Sequence, residues 1–359
     1  MSAAIRILVS MKKYCFLVVI VSTLCFGQDP VGDLIDAEYK NGHFNGTALV
    51  VKDKKVISNI NRGFANFQFK VRIDSCTRFP IASITKLFTT VAILQLQERS
   101  VIDLNDKISK YIEGLPANCQ NIHISDLLIH HSGLSNEPVR AYLSKYKIDR
   151  YIKEFVFRKD TAGPAKFNYN NVDFVLLSGI IEKATQKTFS EVIESQILIP
   201  LKLDNTGFVN ESDIILNLAY GYHNYSFGKG GANDPLYNDR RFLSNYFGAG
   251  QMYSTTEDLY RFIMALGNDK LISEQTRRAY LIKPQKENRI DGLQGMPTYG
   301  FYFDDKTYGH PVLRRGGSID GFNTEIITDM NFNKIVIILC NTDTGDLKEI
   351  SNKIFSLVN

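Results

Sequence analysis

Ser83 and Lys86 stand three residues apart in the stretch FPIASITKLFTT, residues 79–90. If this stretch is helical, one turn places the two side chains on the same face. A serine hydroxyl is a weak nucleophile until another group accepts its proton, and a lysine that burial keeps neutral can accept it. The pair therefore indicates a serine nucleophile with a lysine base.

The residues around this pair distinguish it from others with the same spacing. That spacing recurs in an N-terminal leader, in a charged run and in a glycine-rich loop, at Ser10/Lys13, Ser144/Lys147 and Ser226/Lys229. After Ser83, apolar residues recur at helical spacing without glycine or proline, at Leu87, Phe88, Val91, Ala92, Leu94 and Leu96. A helix this apolar is expected to be buried, and burial lowers the pKa of a lysine. On this stretch alone, an alternative stays open in which Ser83 only caps the helix and Lys86 is solvated.

Tyr169 and Asn171 form a second candidate pair, just before the apolar helical pattern of residues 172–177. Two side chains two residues apart on a turn can point the same way. The same Y-x-N pattern also occurs at Tyr39/Asn41 and Tyr222/Asn224, so a capping turn with a partly buried tyrosine is the alternative. The position at a helix start favours the functional interpretation.

A third candidate, Arg315-Gly316-Gly317, leads into a strand. Paired glycines let a substrate backbone approach a strand closely, and the arginine fork matches a carboxylate. Taken alone, the segment is also compatible with a glycine-rich turn that carries solvated arginines.

Together the three motifs resemble those of the serine β-lactamase and penicillin-binding-protein superfamily, most closely its class C-like branch. Ser83-x-x-Lys86 matches S-x-x-K, Tyr169-x-Asn171 matches Y-x-N, and Arg315-Gly316-Gly317 stands where the family has K-T-G or H-x-G. Residues 49–53, 127–134 and 249–259 are also similar to family landmarks, in family order, so the resemblance covers residues 42–342. Arginine in the third motif is a departure, because it keeps its charge at any useful pH and cannot shuttle a proton.

The resemblance implies an acyl-enzyme mechanism that needs no metal and no organic cofactor. The catalytic residues that it implies are Ser83, Lys86 and Tyr169. The substrate-binding residues that it implies are Asn171, Arg315, Gly316, Gly317 and Ser318. The backbone N–H groups of Ser83 and Ser318 would hold the oxyanion, Asn171 would contact a substrate amide, and Arg315 would hold a carboxylate or another anion.

The elements that must position these residues alternate in type along the chain. Strand patterns occur at 46–51 and 56–60 and return at 299–303, 321–328 and 334–340, with a closing helix at 347–357. Between residues 103 and 266 the pattern is helical, at 126–131, 149–157, 172–185, 190–197 and 255–266. We therefore predict an α+β fold, an antiparallel sheet built from both chain ends and flanked by helices, with an inserted all-helical lobe. The resemblance implies a β-lactamase/transpeptidase-like fold.

The chain has 359 residues, 44% hydrophobic and 22% charged, as in ordinary globular proteins. Lys12 and Lys13 precede an apolar block at 15–26, and small residues at Cys25 and Gly27 follow the pattern of a cleavage site. The block is shorter than the ~20 residues needed to span a bilayer, so cleavage is favoured over anchoring. We predict a signal peptide at 1–27, with Met11 as an alternative start, and a single catalytic domain at 28–359 that is exported to the periplasm or secreted.

Charge and cysteine content exclude several classes of function. Without residues 1–27 the chain keeps 39 of its 42 lysines and arginines against 38 acidic residues, which gives no electrostatic reason to bind nucleic acid. The three remaining cysteines, Cys76, Cys119 and Cys340, allow at most one internal disulfide, and Cys340 lies in an apolar run typical of a core. No cysteine or histidine spacing is typical of a metal site.

The sequence thus favours an exported serine hydrolase acting on D-amino-acid peptides or esters, similar to a D-alanyl-D-alanine carboxypeptidase or esterase. A class C-like β-lactamase is ranked lower because of Arg315. A sensor that binds β-lactams or peptidoglycan fragments without turnover is the non-enzymatic alternative. A Ser-His-Asp triad is disfavoured because no G-x-S-x-G motif is present, and His131 is more typical of a structural residue. The expected partner is a small-molecule or peptide substrate, with no stable membrane anchor.

Overall fold

A computed structural model of the chain describes residues 29–157, 166–226, 228–238, 241–286 and 295–358. Its strands are β1 Gly46–Lys52, β2 Lys55–Arg62, β3 Phe64–Asn66, β4 Val71–Arg72, β5 Phe79–Pro80, β6 Gly207–Phe208, β7 Met252–Ser254, β8 Met296–Pro297, β9 Tyr302–Asp304, β10 Val312–Ile319, β11 Phe322–Asp329 and β12 Ile335–Cys340. Its α-helices are α1 Pro30–Lys40, α2 Thr85–Glu98, α3 Ile124–Leu128, α4 Ile148–Phe155, α5 Val172–Thr185, α6 Phe189–Ile193, α7 Ile199–Leu201, α8 Thr256–Gly267, α9 Glu274–Thr276 and α10 Leu347–Leu357.

The main sheet is assembled from the two ends of the chain. Its strand order is β2-β1-β12-β11-β10-β9-β8, and all of its described neighbours pair antiparallel. The N-terminal hairpin β1–β2 joins the C-terminal strands through the β1–β12 pair, with Gly46 opposite Cys340. This confirms the predicted antiparallel sheet built from both chain ends.

Helices cover both faces of this sheet. Ala48 and Val50 of β1 face α1 and α10, in a cluster that also contains Ile35 and Ile354. The alternate residues of β1 and β12 belong to the larger cluster with α2 and α8. Because both faces are buried, these strands are continuous apolar runs without polar alternation.

The segment inserted between β5 and β8 contains helices α2 to α9 joined by loops, in agreement with the predicted helical lobe. In the described residues its strands are β6 and β7. They form a small three-stranded sheet with β5, in which β7 lies in the middle and pairs with both β5 and β6. The bounds predicted for α5 and α10 are confirmed, whereas β9 starts at Tyr302 and not at residue 299. Gly300 has a φ of +102° and approaches Leu87 closely, so the chain bends there before the strand begins.

The predicted signal peptide, residues 1–27, lies outside the described residues. Within the described ranges no helix is both long enough and apolar enough to cross a bilayer. Cys340 is buried as predicted, and in the described residues Cys76, Cys119 and Cys340 form no disulfide with one another. The division into a leader and a single catalytic domain stays a prediction.

Candidate active site

Ser83 lies at the entrance to α2, in a single turn of 3-10 helix over Ala82–Ile84. The backbone of Ala82, just before it, has a φ of +46°, a conformation that an L-residue adopts at a cost in energy. No side-chain cap hydrogen bond forms at this helix start. Ser83 is therefore not the helix cap of the alternative interpretation, and its hydroxyl is available for other contacts.

Lys86 is buried, with no exposed surface, as the apolar helix predicted. Its Nζ lies 3.1 Å from Ser83 Oγ and donates hydrogen bonds of 2.8 Å to both Asn171 Oδ1 and the Ala249 carbonyl. The last two partners can only accept. They orient the amine towards Ser83 and exclude the solvated first-turn alternative for Lys86.

Tyr169 completes the triangle around the serine hydroxyl. Its OH lies 2.7 Å from Ser83 Oγ, and its ring lies 5.1 Å from Lys86 Nζ. Asn171 stands at the N-terminal end of α5 but forms no side-chain cap there. The Y-x-N turn thus directs both side chains to Ser83 and Lys86 and is not merely a capping turn.

The two candidate bases have perturbed acidities. Burial lowers the pKa of Lys86. The neighbouring Tyr169 raises this pKa, whereas the positive charge of Arg315 lowers it. Burial by itself raises the pKa of Tyr169, but the positive charges of Lys86 and Arg315 outweigh this effect and lower it to about 8. The two groups interact directly, so they titrate as a pair.

Two proton arrangements of this pair fit the same geometry. A neutral Lys86 amine donates its two N–H groups to Asn171 Oδ1 and the Ala249 carbonyl. Its lone pair can then accept the proton of the Ser83 hydroxyl. Alternatively, an ammonium donates to Ser83 while a Tyr169 phenolate accepts the serine proton. Either form of the singly deprotonated pair can activate the nucleophile.

Strand β10 forms the other side of the site. On one edge of β10, β9 pairs only with residues 312–314. In the described part of the chain, that edge has no strand partner from Arg315 onwards, while β11 pairs along the opposite edge. This edge meets Ser83, because a Cβ on Gly317 would lie only 2.6 Å from Ser83 N. A glycine is required at this approach. The arginine-glycine-glycine motif lies within β10 and is not the turn of the alternative interpretation.

Arg315 is buried, with 3% of its surface exposed. Its Nε donates to the Ser83 carbonyl at 3.1 Å, and its Nη2 lies 3.5 Å from the Tyr169 hydroxyl. The guanidinium thus places a permanent positive charge beside the Lys86–Tyr169 pair. Whether it also holds a substrate anion stays a prediction.

The remaining predicted binding residues line the same cleft. A cavity of about 470 Å³ is bordered by Ser83, Tyr169 and the segment 314–318, which includes Gly316 and Ser318. Ser318 is exposed at the end of this edge. The structure therefore brings together all eight residues that the sequence predicted.

Sequence reasoning missed a buried group of polar residues behind Tyr169. Asp173 accepts hydrogen bonds from Ser132 Oγ at 2.5 Å and Asn170 Nδ2 at 3.0 Å, and His130 Nδ1 lies 3.0 Å away. The His130 ring packs 4.4 Å from the ring of Tyr169. Burial, reinforced by the charges of Lys86 and Arg315, holds the pKa of His130 well below its usual value, so we treat it as a neutral support.

Glu137 is the other residue that the motifs did not reveal. Its Oε1 accepts a hydrogen bond of 2.8 Å from Asn171 Nδ2 and another from the Tyr142 hydroxyl. Asn171 thus bridges Lys86 and Glu137. The sequence held no indication beyond an acidic residue three positions after the Gly133-Leu134 landmark.

The geometry agrees with comparisons to known proteins. The family model described as Beta-lactamase matches residues 31–357. The teichoic acid D-alanine hydrolase of Staphylococcus aureus is 27% identical over 334 residues, which cover 91% of this chain and 78% of that protein.

Two solved structures share the fold. The crystal structure of FmtA from Staphylococcus aureus has a TM-score of 0.76 at 26% identity, covering 92% of this chain and 87% of the other. The D-amino acid amidase from Ochrobactrum anthropi SV3 has a TM-score of 0.77 at 21% identity, covering 91% and 97%. The chain belongs to the β-lactamase family of serine hydrolases.

Proposed function

We propose that this protein is an exported serine hydrolase that removes D-amino-acyl groups, above all D-alanine, from esters or amides through an acyl-enzyme on Ser83. The observation that carries the proposal is the position of Ser83 Oγ, between Tyr169 OH at 2.7 Å and Lys86 Nζ at 3.1 Å. A pure binding protein would gain nothing from this arrangement.

In the proposed reaction, Ser83 Oγ forms a bond to the substrate carbonyl carbon while its proton passes to the Lys86–Tyr169 pair. The backbone N–H groups of Ser83 and Ser318 stabilise the resulting oxyanion, and each such donor typically contributes about 3–4 kcal/mol. The pair then protonates the leaving alcohol or amine as its bond to carbon breaks. Water, deprotonated by the same pair, releases the acyl group and restores Ser83.

The choice of D-alanyl substrates rests on the relatives. One is named a teichoic acid D-alanine hydrolase, and a structural neighbour is a D-amino acid amidase. Their names support D-amino-acyl donors over β-lactams as the proposed substrates of this chain. The buried Arg315 supports the same ranking, because it fills the place of a lysine or histidine that could move a proton.

Export remains part of the proposal. The predicted leader and the cell-envelope polymer in the name of one relative both favour a protein that works outside the cytoplasm. We also propose that residues 28–359 act as one catalytic domain, which the match over residues 31–357 supports. The mass of the protein recovered from cells tests the cleavage, since removal of residues 1–27 would leave Gln28 first.

Release of D-alanine from D-alanylated teichoic acid and from D-alanine methyl ester tests the activity directly. We expect Ser83-dependent release by the wild type and none by Ser83→Ala, whose fold is verified by circular dichroism. Rapid hydrolysis of a cephalosporin with no D-alanine release would show a β-lactamase instead. A stable β-lactam adduct without turnover of any substrate would show the sensor alternative.

A further inference from the structure

Asp173 is a fully buried carboxylate behind the candidate active site, in the first turn of α5. Its Oδ1 accepts a hydrogen bond from Ser132 Oγ at 2.5 Å, and its Oδ2 accepts one from Asn170 Nδ2 at 3.0 Å. Ser132 Oγ itself accepts from the backbone N–H of Leu134 at 3.0 Å, so its own proton points to Asp173. Ser132 is therefore a donor to the carboxylate and not a second nucleophile.

The third partner of Asp173 is His130, whose Nδ1 lies 3.0 Å from Asp173 Oδ2. The Nε2 of the same ring is buried and has no hydrogen-bond partner among the described residues. Because a buried N–H without an acceptor is costly, the one proton of the neutral imidazole belongs on Nδ1, where the carboxylate accepts it. Asp173 then receives three hydrogen bonds and donates none, which is the pattern of an ionised carboxylate.

The surroundings of Asp173 act on its charge in both directions. Burial raises the pKa of Asp173 well above its usual value, whereas the hydrogen bonds from Ser132 and Asn170 and the positive charge of Lys86 lower it. The Lys86–Tyr169 pair titrates near pH 8, because the pKa of Tyr169 is lowered to about 8. With three donors on its oxygens, Asp173 is negatively charged at that pH.

The same cluster holds the turn that carries Tyr169 from both sides. Before Tyr169, the backbone N–H of Asn168 donates to the His130 carbonyl at 2.8 Å. After it, Asn170 Oδ1 accepts from the backbone N–H of Asp173 at 2.8 Å, while Asn170 Nδ2 donates to the carboxylate. The His130 ring packs 4.4 Å from the ring of Tyr169. The phenol is thus fixed from behind.

Charges of both signs surround the Lys86–Tyr169 pair. In the described residues, the groups that face the pair are the cation Arg315 on β10, the carboxylates Glu137 and Asp173, and the neutral side chains of His130 and Tyr302. Asp126 of α3 is a further charged group that acts on Asp173. A buried anion stabilises the protonated, cationic form of the pair more than its neutral form, so Asp173 opposes Arg315.

From this arrangement we infer that Asp173 is a positioning residue for the reaction, which fixes Tyr169 from behind and supplies a buried negative charge that balances Arg315 across the Lys86–Tyr169 pair. This inference rests on the proposed function, because it concerns the base that activates Ser83. Asp173 touches no substrate and acts through the pair. Its charge makes the pair more basic, so that the pair takes the serine proton more readily.

The pH profile of D-alanine methyl ester hydrolysis tests this inference in Asp173→Asn, which keeps the size of the side chain and loses its charge. Without the anion the protonated pair is less stable, so the acid limb should move from about pH 8 to lower pH, by about one pH unit. Relative to its own alkaline plateau, kcat/KM on the acid side should then be about tenfold above that of the wild type.

Asp258→Asn is the matched control. Asp258 is a buried carboxylate of α8 that accepts hydrogen bonds from Asn205 and Thr206, away from the catalytic residues. Its acid limb should stay at the pH of the wild type. If Asp173 only supports the fold, Asp173→Asn lowers kcat/KM by the same factor at every pH and its limb does not move, which overturns the inference.

If Asp173→Asn does not fold, the tautomer of His130 in the wild type decides. ¹⁵N NMR of the histidine side chains near pH 8, with His130→Gln to assign the signal, should show the ring proton on Nδ1. A proton on Nε2 would mean that Asp173 is protonated and uncharged, and would overturn the inference. In each case Ser83-dependent ester hydrolysis by the wild type leaves the proposed function standing, whereas no hydrolysis of any D-alanyl ester by the wild type would refute that function itself.

Discussion

At the scale of single residues, the site is organised by one hydroxyl and the charges around it. Ser83 contacts Lys86 and Tyr169 directly, and the pKa of Tyr169 falls to about 8 because two cations outweigh its burial. The permanent charge of Arg315 therefore acts on the site without any contact to a substrate. It lowers the pKa of Tyr169, whose hydroxyl lies beside Ser83 Oγ.

Replacement of Arg315 should move the pH dependence of the reaction. In the wild type, kcat/KM should fall as the pH falls through about 8, because protonation of the Lys86–Tyr169 pair removes the base. Arg315→Met removes a positive charge that lowers the pKa of Tyr169, so the acid limb should move to higher pH. A profile of ester hydrolysis against pH, from neutral to alkaline, measures the shift.

Arg315→Lys is the matched control, because it keeps the charge and loses the guanidinium fork. Its acid limb should stay close to that of the wild type even if KM rises. An unchanged limb in Arg315→Met would show that the charge of Arg315 does not act on the base.

The sequence predicted these residues better than it predicted their neighbours. Ser83, Lys86, Tyr169 and Arg315 belong to short motifs whose spacing is local, and the order of these motifs together with the landmarks between them was enough to recognise each residue. Glu137 reaches Asn171 across 34 positions of sequence. No motif marks it, and only the folded chain shows that it contacts Asn171.

At the scale of elements, the site is the junction of the start of α2 with the free edge of β10. Thr324 of β11 secures this junction, since its hydroxyl donates to the Gly317 carbonyl at 3.0 Å and lies 3.3 Å from the Ile81 carbonyl. The sequence predicted α5 and α10 to the residue, because their apolar periodicity is long and uninterrupted. It did not predict the two-residue strands β6 and β8, which are too short to show any alternation.

A methyl group at Gly317 should disturb this junction. In Gly317→Ala, the Cβ would lie 2.6 Å from Ser83 N and 2.9 Å from Thr324 Oγ1, so the strand edge or the serine must shift. We expect kcat/KM to fall by about a hundredfold, since small displacements of catalytic groups have effects of this size. Steady-state hydrolysis of D-alanine methyl ester measures the loss.

Gly231→Ala is a suitable comparison, because a Cβ there meets no described atom within 4 Å and the residue has no positive φ. Its kcat/KM should equal that of the wild type. Full activity in Gly317→Ala would contradict the close approach of β10 to Ser83.

At the scale of the whole molecule, the two chain ends build one sheet and the inserted helical segment closes over it. This arrangement could be predicted because strand patterns occur only near the ends of the sequence. Whether the cysteines form a disulfide could not be predicted, because the sequence sets an upper limit on the number of pairs but does not give the distances between the thiols. In the structure Cys76 is exposed, while Cys119 and Cys340 are buried in the core.

Thiol labelling should reflect this burial. In the folded protein without residues 1–27, an alkylating reagent should modify Cys76 rapidly and spare the other two, because burial raises the pKa of Cys340 to about 12. In denaturant without reductant, all three thiols should react. Peptide mapping by mass spectrometry measures both states, and protection of any thiol in denaturant would reveal a disulfide that the structure does not contain.

The most direct test of the central claim is the intact mass of the protein after acid quench of its reaction with an activated D-alanine ester. We predict one D-alanyl group on the wild type, mapped to the peptide that contains Ser83, and none on Ser83→Ala. An equal adduct on Ser83→Ala, or turnover by that variant at the rate of the wild type, would contradict the assignment of Ser83 as the nucleophile.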